Sequence, residues 1–168
     1  MNRLFDIVNA ENIHLLYTNL LTSTYNKLYG LYFFDEGHGP SILLEKTLDK
    51  PECSRLHKCV LGEELGHYFT APQTNIFRIY GSCSVEYLDK IQQARDERKA
   101  LEWASNFLIP NVEFNRAVSE GCKNVYDLAE HFQVTEWFVY RKLGIIKAKY
   151  REQGIKLRSR DYFNMKIV

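Results

Sequence analysis

No two of the four cysteines, at 53, 59, 83 and 122, form a C-x-x-C pair. The close-spaced thiol ligands of a zinc cluster are therefore missing, and reduced, mostly buried thiols are the expectation. Long apolar runs are missing too: nothing approaches the ~20 residues needed to span a bilayer. The opening "MNRLFDIVNAEN" has a basic residue but only a very short apolar stretch. It does not read as a secretory signal, so a cytoplasmic protein with no membrane partner is expected. Internal repeats and low-complexity segments are absent, which excludes solenoid and linker-like chains.

What is present is an ordinary globular composition. The 168 residues are 45% hydrophobic and 26% charged, enough for one domain with a real core. Aromatics at 14% argue against disorder. The net charge of +1 hides an asymmetry. Residues 141–168 hold nine Lys or Arg against two Asp or Glu, a net of +7, leaving −6 for residues 1–140. Such a basic end can meet nucleic acid or an acidic partner, and it is also what a solvated helix end and terminus carry.

Hydropathy patterning gives a helix, a small sheet, then more helices. Residues 3–22 read as helix, with Leu4, Ile7, Val8, Leu15, Leu16 and Leu20 as candidate buried positions. "KLYGLYFFDEGHGPSILLEKTL" reads as two strands around the turn Asp35 to Pro40. "SRLHKCVLGEELGHYFT" reads as a helix, and "APQTNIFRIYGSCS" as a loop long enough to line a site. Val85 to Leu108 reads as a long helix closed by Pro110, followed by helical patterns at Glu113–Val118, Val125–Phe132 and Glu136–Tyr150. The order predicts an α+β protein, mainly helical with a small antiparallel sheet. Residues 1–150 are expected to form a single domain, with 151–168 as a basic tail.

The helix of residues 54–70 carries the chemistry. Its "EELGH" resembles the metalloprotease pattern H-E-x-x-H with glutamate in the first ligand place. Residues four apart share a helix face, so Glu63 and His67 can grip one ion. Glu64 takes the general-base place, about 100° round the helix from Glu63. A carboxylate oxygen can bind zinc at about the distance an imidazole nitrogen does, so the change keeps a ligand. Leu56, Val60, Glu63 and His67 advance by 4, 3 and 4, so an apolar face turns into a carboxylate and an imidazole. Burying both without a partner is costly, and a metal resolves that cost. Gly66, unfavourable inside a helix, suits a close approach of substrate or another helix. The string alone is short, and Glu/His pairs four apart also occur on solvated helices. His57 lies ten residues before His67, about 15 Å along the axis, and is excluded from the same site.

A third ligand must come from elsewhere. On the long helix, Ala94, Glu97, Leu101, Ala104 and Leu108 advance by 3, 4, 3 and 4. Glu97 is the one carboxylate of that apolar, small-residue face, although taken alone such a residue also reads as a half-exposed boundary position, while Asp96 and Glu102 fall on faces read as solvated.

"VLGEELGHYFT" followed by "ERKALEWASNFLIP" resembles the ImmA/IrrE family of metallo-endopeptidases of bacteria, phages and mobile elements. Its pattern is H-E-L-G-H or E-E-L-G-H, then a helix with E-x-x-A-x-x-[FW]-A-x-x-L-x-x-P. That second pattern falls on Glu97, Ala100, Trp103, Ala104, Phe107 or Leu108, and Pro110. "LAEHFQVTEWFVYRKL" is similar to the family's downstream element, so the resemblance covers residues 28–150. It implies a zincin-like, gluzincin-type core, metal ligands Glu63, His67 and Glu97, and a catalytic Glu64. Zinc is the metal expected. The second carboxylate oxygen weakens its preference over manganese or iron, and makes metal-bound water less ready to ionise. The substrate implied is a helix-turn-helix transcriptional repressor.

"NVYDLAEHFQVTEWFVYRKLG" has a helix-turn-helix rhythm, with Leu128, Ala129, Phe132, Val134, Val139 and Leu143 at apolar places and Thr135 as N-cap. A base-reading helix should present polar and basic groups at its N-terminal end. This one offers Glu136, Trp137 and Phe138, so nucleic acid is not the expected partner. Two rivals to the peptidase remain: a repressor-binding module of the same fold that does not cut, and a DNA-binding regulator using residues 125–168.

Overall fold

The computed structural model describes residues 1–20, 28–71 and 87–156. The chain begins with helix α1 (Asn2–Ala10), which buries Leu4 and Val8 one turn apart. Asn12, at φ 51°, then leaves the helical region. Asparagine tolerates that left-handed conformation better than most residues. The Ile13 N–H reaches back to the Val8 carbonyl at 2.9 Å and closes the helix end. The helix expected over residues 3–22 therefore stops at Ala10, and His14–Thr18 forms strand β1. Its burial alternates from residue to residue, and Leu16 is exposed. A short strand with leucines on both faces carries the same apolar content as a helical turn, which is why the sequence pattern misleads here.

β2 (Gly30–Asp35) and β3 (Gly39–Glu45) form the expected hairpin. The Asp35 carboxylate accepts from the Gly37 and His38 N–H groups at 2.7 and 3.2 Å, and Gly39 takes φ 80°. β1 runs parallel to β3, with His14 opposite Ser41 and Thr18 opposite Glu45. The sheet order is β1-β3-β2, so the sheet is mixed, not antiparallel. Central β3 is the most buried strand, with Ile42 and Leu44 fully covered. On the hairpin the Glu45 N–H donates to the Tyr29 carbonyl at 2.8 Å. That pairing turns the odd-numbered residues of β2 toward β3. Gly30, Tyr32 and Phe34 therefore direct their backbone polar groups to the opposite edge.

Two short 3-10 turns, Lys46–Asp49 and Pro51–Cys53, lead into α2 (Ser54–Thr70), whose span matches the sequence reading. It is buried on most sides, from His57 through Cys59–Gly62 to Glu64–His67. Full burial of Leu61 and Leu65 stabilises the unit by about 1.5–3 kcal/mol each. Helix α3 (Tyr87–Leu108) follows. The loop read at residues 71–84 lies outside the described residues apart from Ala71.

The chain divides into two compact units, one up to Ala104 and the other from Ser105. The second holds the end of α3, then α4 (Asn111–Ser119), α5 (Val125–Phe132) and α6 (Glu136–Glu152). α5 is capped by Asn124, and α6 by Thr135, whose side chain accepts from the Phe138 N–H. Gln133, at φ 52°, makes the turn between them. Leu128, Val134, Phe138 and Val139 are fully buried. Phe138, read as part of the presented surface, is thus core, and Trp137 and Tyr140 are the exposed aromatics. Lys142 is buried and donates to the Asn106 and Asn111 side-chain oxygens, each at 2.7 Å.

Candidate metal centre and active site

The C-terminal half of α2 brings Glu63, Glu64 and His67 onto adjoining faces. Gly66 seats that half against α3. A Cβ at residue 66 would overlap the Ala100 carbonyl oxygen and lie 2.8 Å from its carbon. Ala100 is itself fully buried. One turn further on, the Phe69 and Trp103 rings stack with centroids 4.8 Å apart. Of the two uses open to Gly66, the structure shows helix contact.

This packing carries Glu97 to His67. Their Oε2 and Nε2 atoms stand 3.5 Å apart, the imidazole 9% exposed and the carboxylate 52% exposed. A charge-assisted hydrogen bond is shorter, about 2.7–2.9 Å. Two donors on one tetrahedral zinc, each about 2.0–2.1 Å from it, stand about 3.3 Å apart. The pair therefore fits a shared divalent ion in both spacing and donor chemistry. Glu97 is half-exposed, as its reading as a boundary position allows, and Asp96, read as solvated, is buried. Asp96 accepts from the Gln92 side chain at 2.9 Å and lies 3.6 Å from the Lys99 ammonium. The inward face of α3 thus runs through Asp96, Ala100, Ala104 and Leu108; Ala104 and Leu108 belong to the face read from sequence, which departs from the observed one at its start, where Glu97 sits at the rim.

Glu64 is buried. Loss of solvent pushes its pKa up to about 8. His67 pulls it down, Glu63 and Glu97 push it up, and the Tyr32 backbone N–H, donating to the carboxylate, pulls it down. Burial lowers the His67 pKa, but the carboxylates of Glu97, Glu64 and Glu63 outweigh that, and the net shift is upward. The charge of Glu63 is thus felt by both neighbours. Even so, among the described residues no group of three His, Cys, Asp or Glu side chains is gathered as a metal site would require. Two of the three expected donors converge, and Glu63 does not complete them into such a group.

His57 stays apart from this cluster. Its Nε2 is 3.0 Å from the Tyr17 hydroxyl, and the Phe5 and Tyr17 rings meet it edge-on. Burial lowers its pKa. It is a core histidine joining β1 to α2, as its distance along the helix implied.

Sequence reasoning missed the contribution of β2. A Cβ at Gly30 would lie 2.5 Å from Glu64 Oε1, 2.8 Å from Glu64 Cγ and 2.6 Å from Val60 Cγ1. A glycine opening an aromatic-rich strand was the available signal of such a close approach.

A buried glutamate and a histidine on one helix, met by a carboxylate from a second helix, is the kind of arrangement from which a metallopeptidase centre can be built. The family model of the IrrE N-terminal-like domain, Peptidase M78, matches residues 10–144. The chain belongs to this family, a metallopeptidase of the ImmA/IrrE type with an α+β fold. No curated protein matches the chain. Among the described residues no helix is long and apolar enough to cross a membrane.

Proposed function

We propose that this chain is a metal-dependent endopeptidase that cuts a protein substrate at limited sites, the substrate being a helix-turn-helix repressor of a phage or mobile element. The observation that carries the reading is the 3.5 Å approach of His67 and Glu97 beside a buried Glu64. His67 and Glu97 would hold the ion, with Glu63 as the further donor supplied by the motif. Zinc suits the imidazole and carboxylate set, and the oxygen-rich composition also admits manganese or iron. When bound, a divalent ion polarises the scissile carbonyl and acidifies water.

The chain's own residues do the rest. Glu64 accepts the proton of the attacking water and passes it to the leaving amine. A buried carboxylate with a pKa near 8 holds that proton readily, and Glu64 would be kept in the ionised, accepting form if a dication were held beside it. β2 is an outer strand of the described sheet, and the part of its edge beyond Tyr32, whose N–H is taken by Glu64, can align an extended substrate segment by strand addition.

A second reading is a module that binds the repressor without cutting it. It is favoured by the absence of a three-donor group among the described residues. The Glu64→Gln variant separates the two. Repressor lost in cells with the wild-type chain and retained with the variant supports the peptidase; equal loss with both sinks it. A DNA-binding regulator is less well supported. The exposed start of α6 presents Glu136, Trp137, Tyr140 and Arg141, with the Arg141 guanidinium 4.9 Å over the Trp137 ring. A shift assay that shows no DNA binding at low salt removes that reading.

A further inference from the structure

We infer that β2 sets the position of the Glu64 carboxylate, and that Gly30 is a positioning residue acting through Glu64. This rests on the peptidase reading for its catalytic consequence, but not for its geometry. Two features of one strand converge on the same side chain. The Tyr32 N–H, turned away from β3, donates to the carboxylate. Two residues earlier on the same edge, Gly30 leaves empty the volume that Glu64 Oε1 and Cγ need.

The atoms that a Cβ at residue 30 would meet are all side-chain atoms, from Glu64 and Val60. Gly66 is different, because there the obstacle is backbone. At residue 30 the strand and helix can keep their places while the carboxylate gives way. A methyl group at residue 30 therefore rotates Glu64 off the Tyr32 N–H and away from its place beside His67. Gly30 has no positive φ to explain its identity, so room for Glu64 and Val60 is the remaining reason for a glycine there. A general base must lie within hydrogen-bond reach of the proton it takes, and displacement by about 1 Å can cost about 10²-fold in rate.

The test is a double-mutant cycle on the full chain, built in a Val60→Ala background so that only the Glu64 contact remains. Gly30→Ala and Glu64→Ala are combined, and stability and the Tyr32 amide proton shift are measured without metal. Gly30→Ala is expected to destabilise the chain when Glu64 is present and to do little once Glu64 is alanine. It should also move the Tyr32 amide resonance in the same direction as Glu64→Ala does. An equal stability loss in both backgrounds, or an unmoved Tyr32 amide, overturns the inference. With zinc and a cleavable repressor, Gly30→Ala should lower kcat about tenfold or more, leaving KM and zinc affinity unchanged. A raised KM with kcat intact also overturns it. Absence of cleavage by the parent chain would defeat the peptidase reading alone, because the metal-free cycle still decides where Glu64 is held.

Discussion

Gly66 of α2 meets the backbone of Ala100 in α3 so closely that no side-chain carbon fits between them. The contact is with carbonyl and Cα atoms, 2.8 and 3.0 Å from the missing Cβ for the carbon and Cα, so nothing there can rotate aside. It fixes the distance between the helices that carry His67 and Glu97.

Gly66→Ala should therefore separate the two helices. Alanine gains about 1 kcal/mol in helix propensity, but overpacking against backbone costs about 1–3 kcal/mol or more. Net destabilisation in urea is expected, together with weaker zinc binding as His67 and Glu97 move apart. A more stable variant with unchanged zinc affinity would show that the helix contact is not needed.

Removing either converging donor should cost metal affinity directly. His67→Ala and Glu97→Ala are each expected to weaken zinc binding by more than the roughly 10–100-fold typical of outer-sphere partners. Calorimetric titration of each variant checks this. His57→Phe, altering the histidine outside the cluster, should leave zinc affinity unchanged.

Glu64 gives the metal-free protein a pH signature. Its folded pKa is raised to about 8, above the ordinary carboxylate value of 4.5. Between those values the folded state holds a proton that the unfolded state has lost, so stability falls as pH rises through that window. Below pH 4.5 this group has no effect, because both states are protonated. Glu64→Gln removes the titration and keeps an acceptor for the Tyr32 N–H. The variant should gain on the parent chain progressively from pH 4.5 to 8, reaching a few kcal/mol. Denaturant midpoints across that range measure it. A difference independent of pH would mean that burial does not hold Glu64 protonated.

In the second unit, Lys142→Met keeps the apolar stem but removes the donor to Asn106 and Asn111. Leaving two amide oxygens without this partner should cost about 1–3 kcal/mol, read from denaturant unfolding. The zinc affinity of the first unit should be unaffected.

The helix of residues 54–70 was readable from sequence because a long periodic segment leaves little ambiguity, and the four-residue spacing of Glu63 and His67 is local to the helix. The hairpin was readable from its Asp-Glu-Gly turn chemistry. β1 was not, because its partner β3 lies more than twenty residues away, and a short stretch with Leu15, Leu16 and Tyr17 at its centre fits a helix or a strand equally well. Glu97 was found through its spacing to small residues, but the same reasoning put Asp96 in solvent. A shift of one residue turns a helix face by about 100°, and the Gly66–Ala100 contact that fixes the rotation is invisible in either helix alone. Gly30 escaped notice for the same reason. Its role exists only against Glu64, thirty-four positions later.

The central claim is that α2 and α3 together hold one divalent ion beside Glu64. Anomalous scattering from zinc-loaded crystals of the full chain tests it most directly. The account predicts one peak ligated by His67 Nε2 and Glu97 Oε2, with the Glu64 carboxylate beside it. A peak bound elsewhere, or no peak after loading with zinc and then manganese, would contradict it.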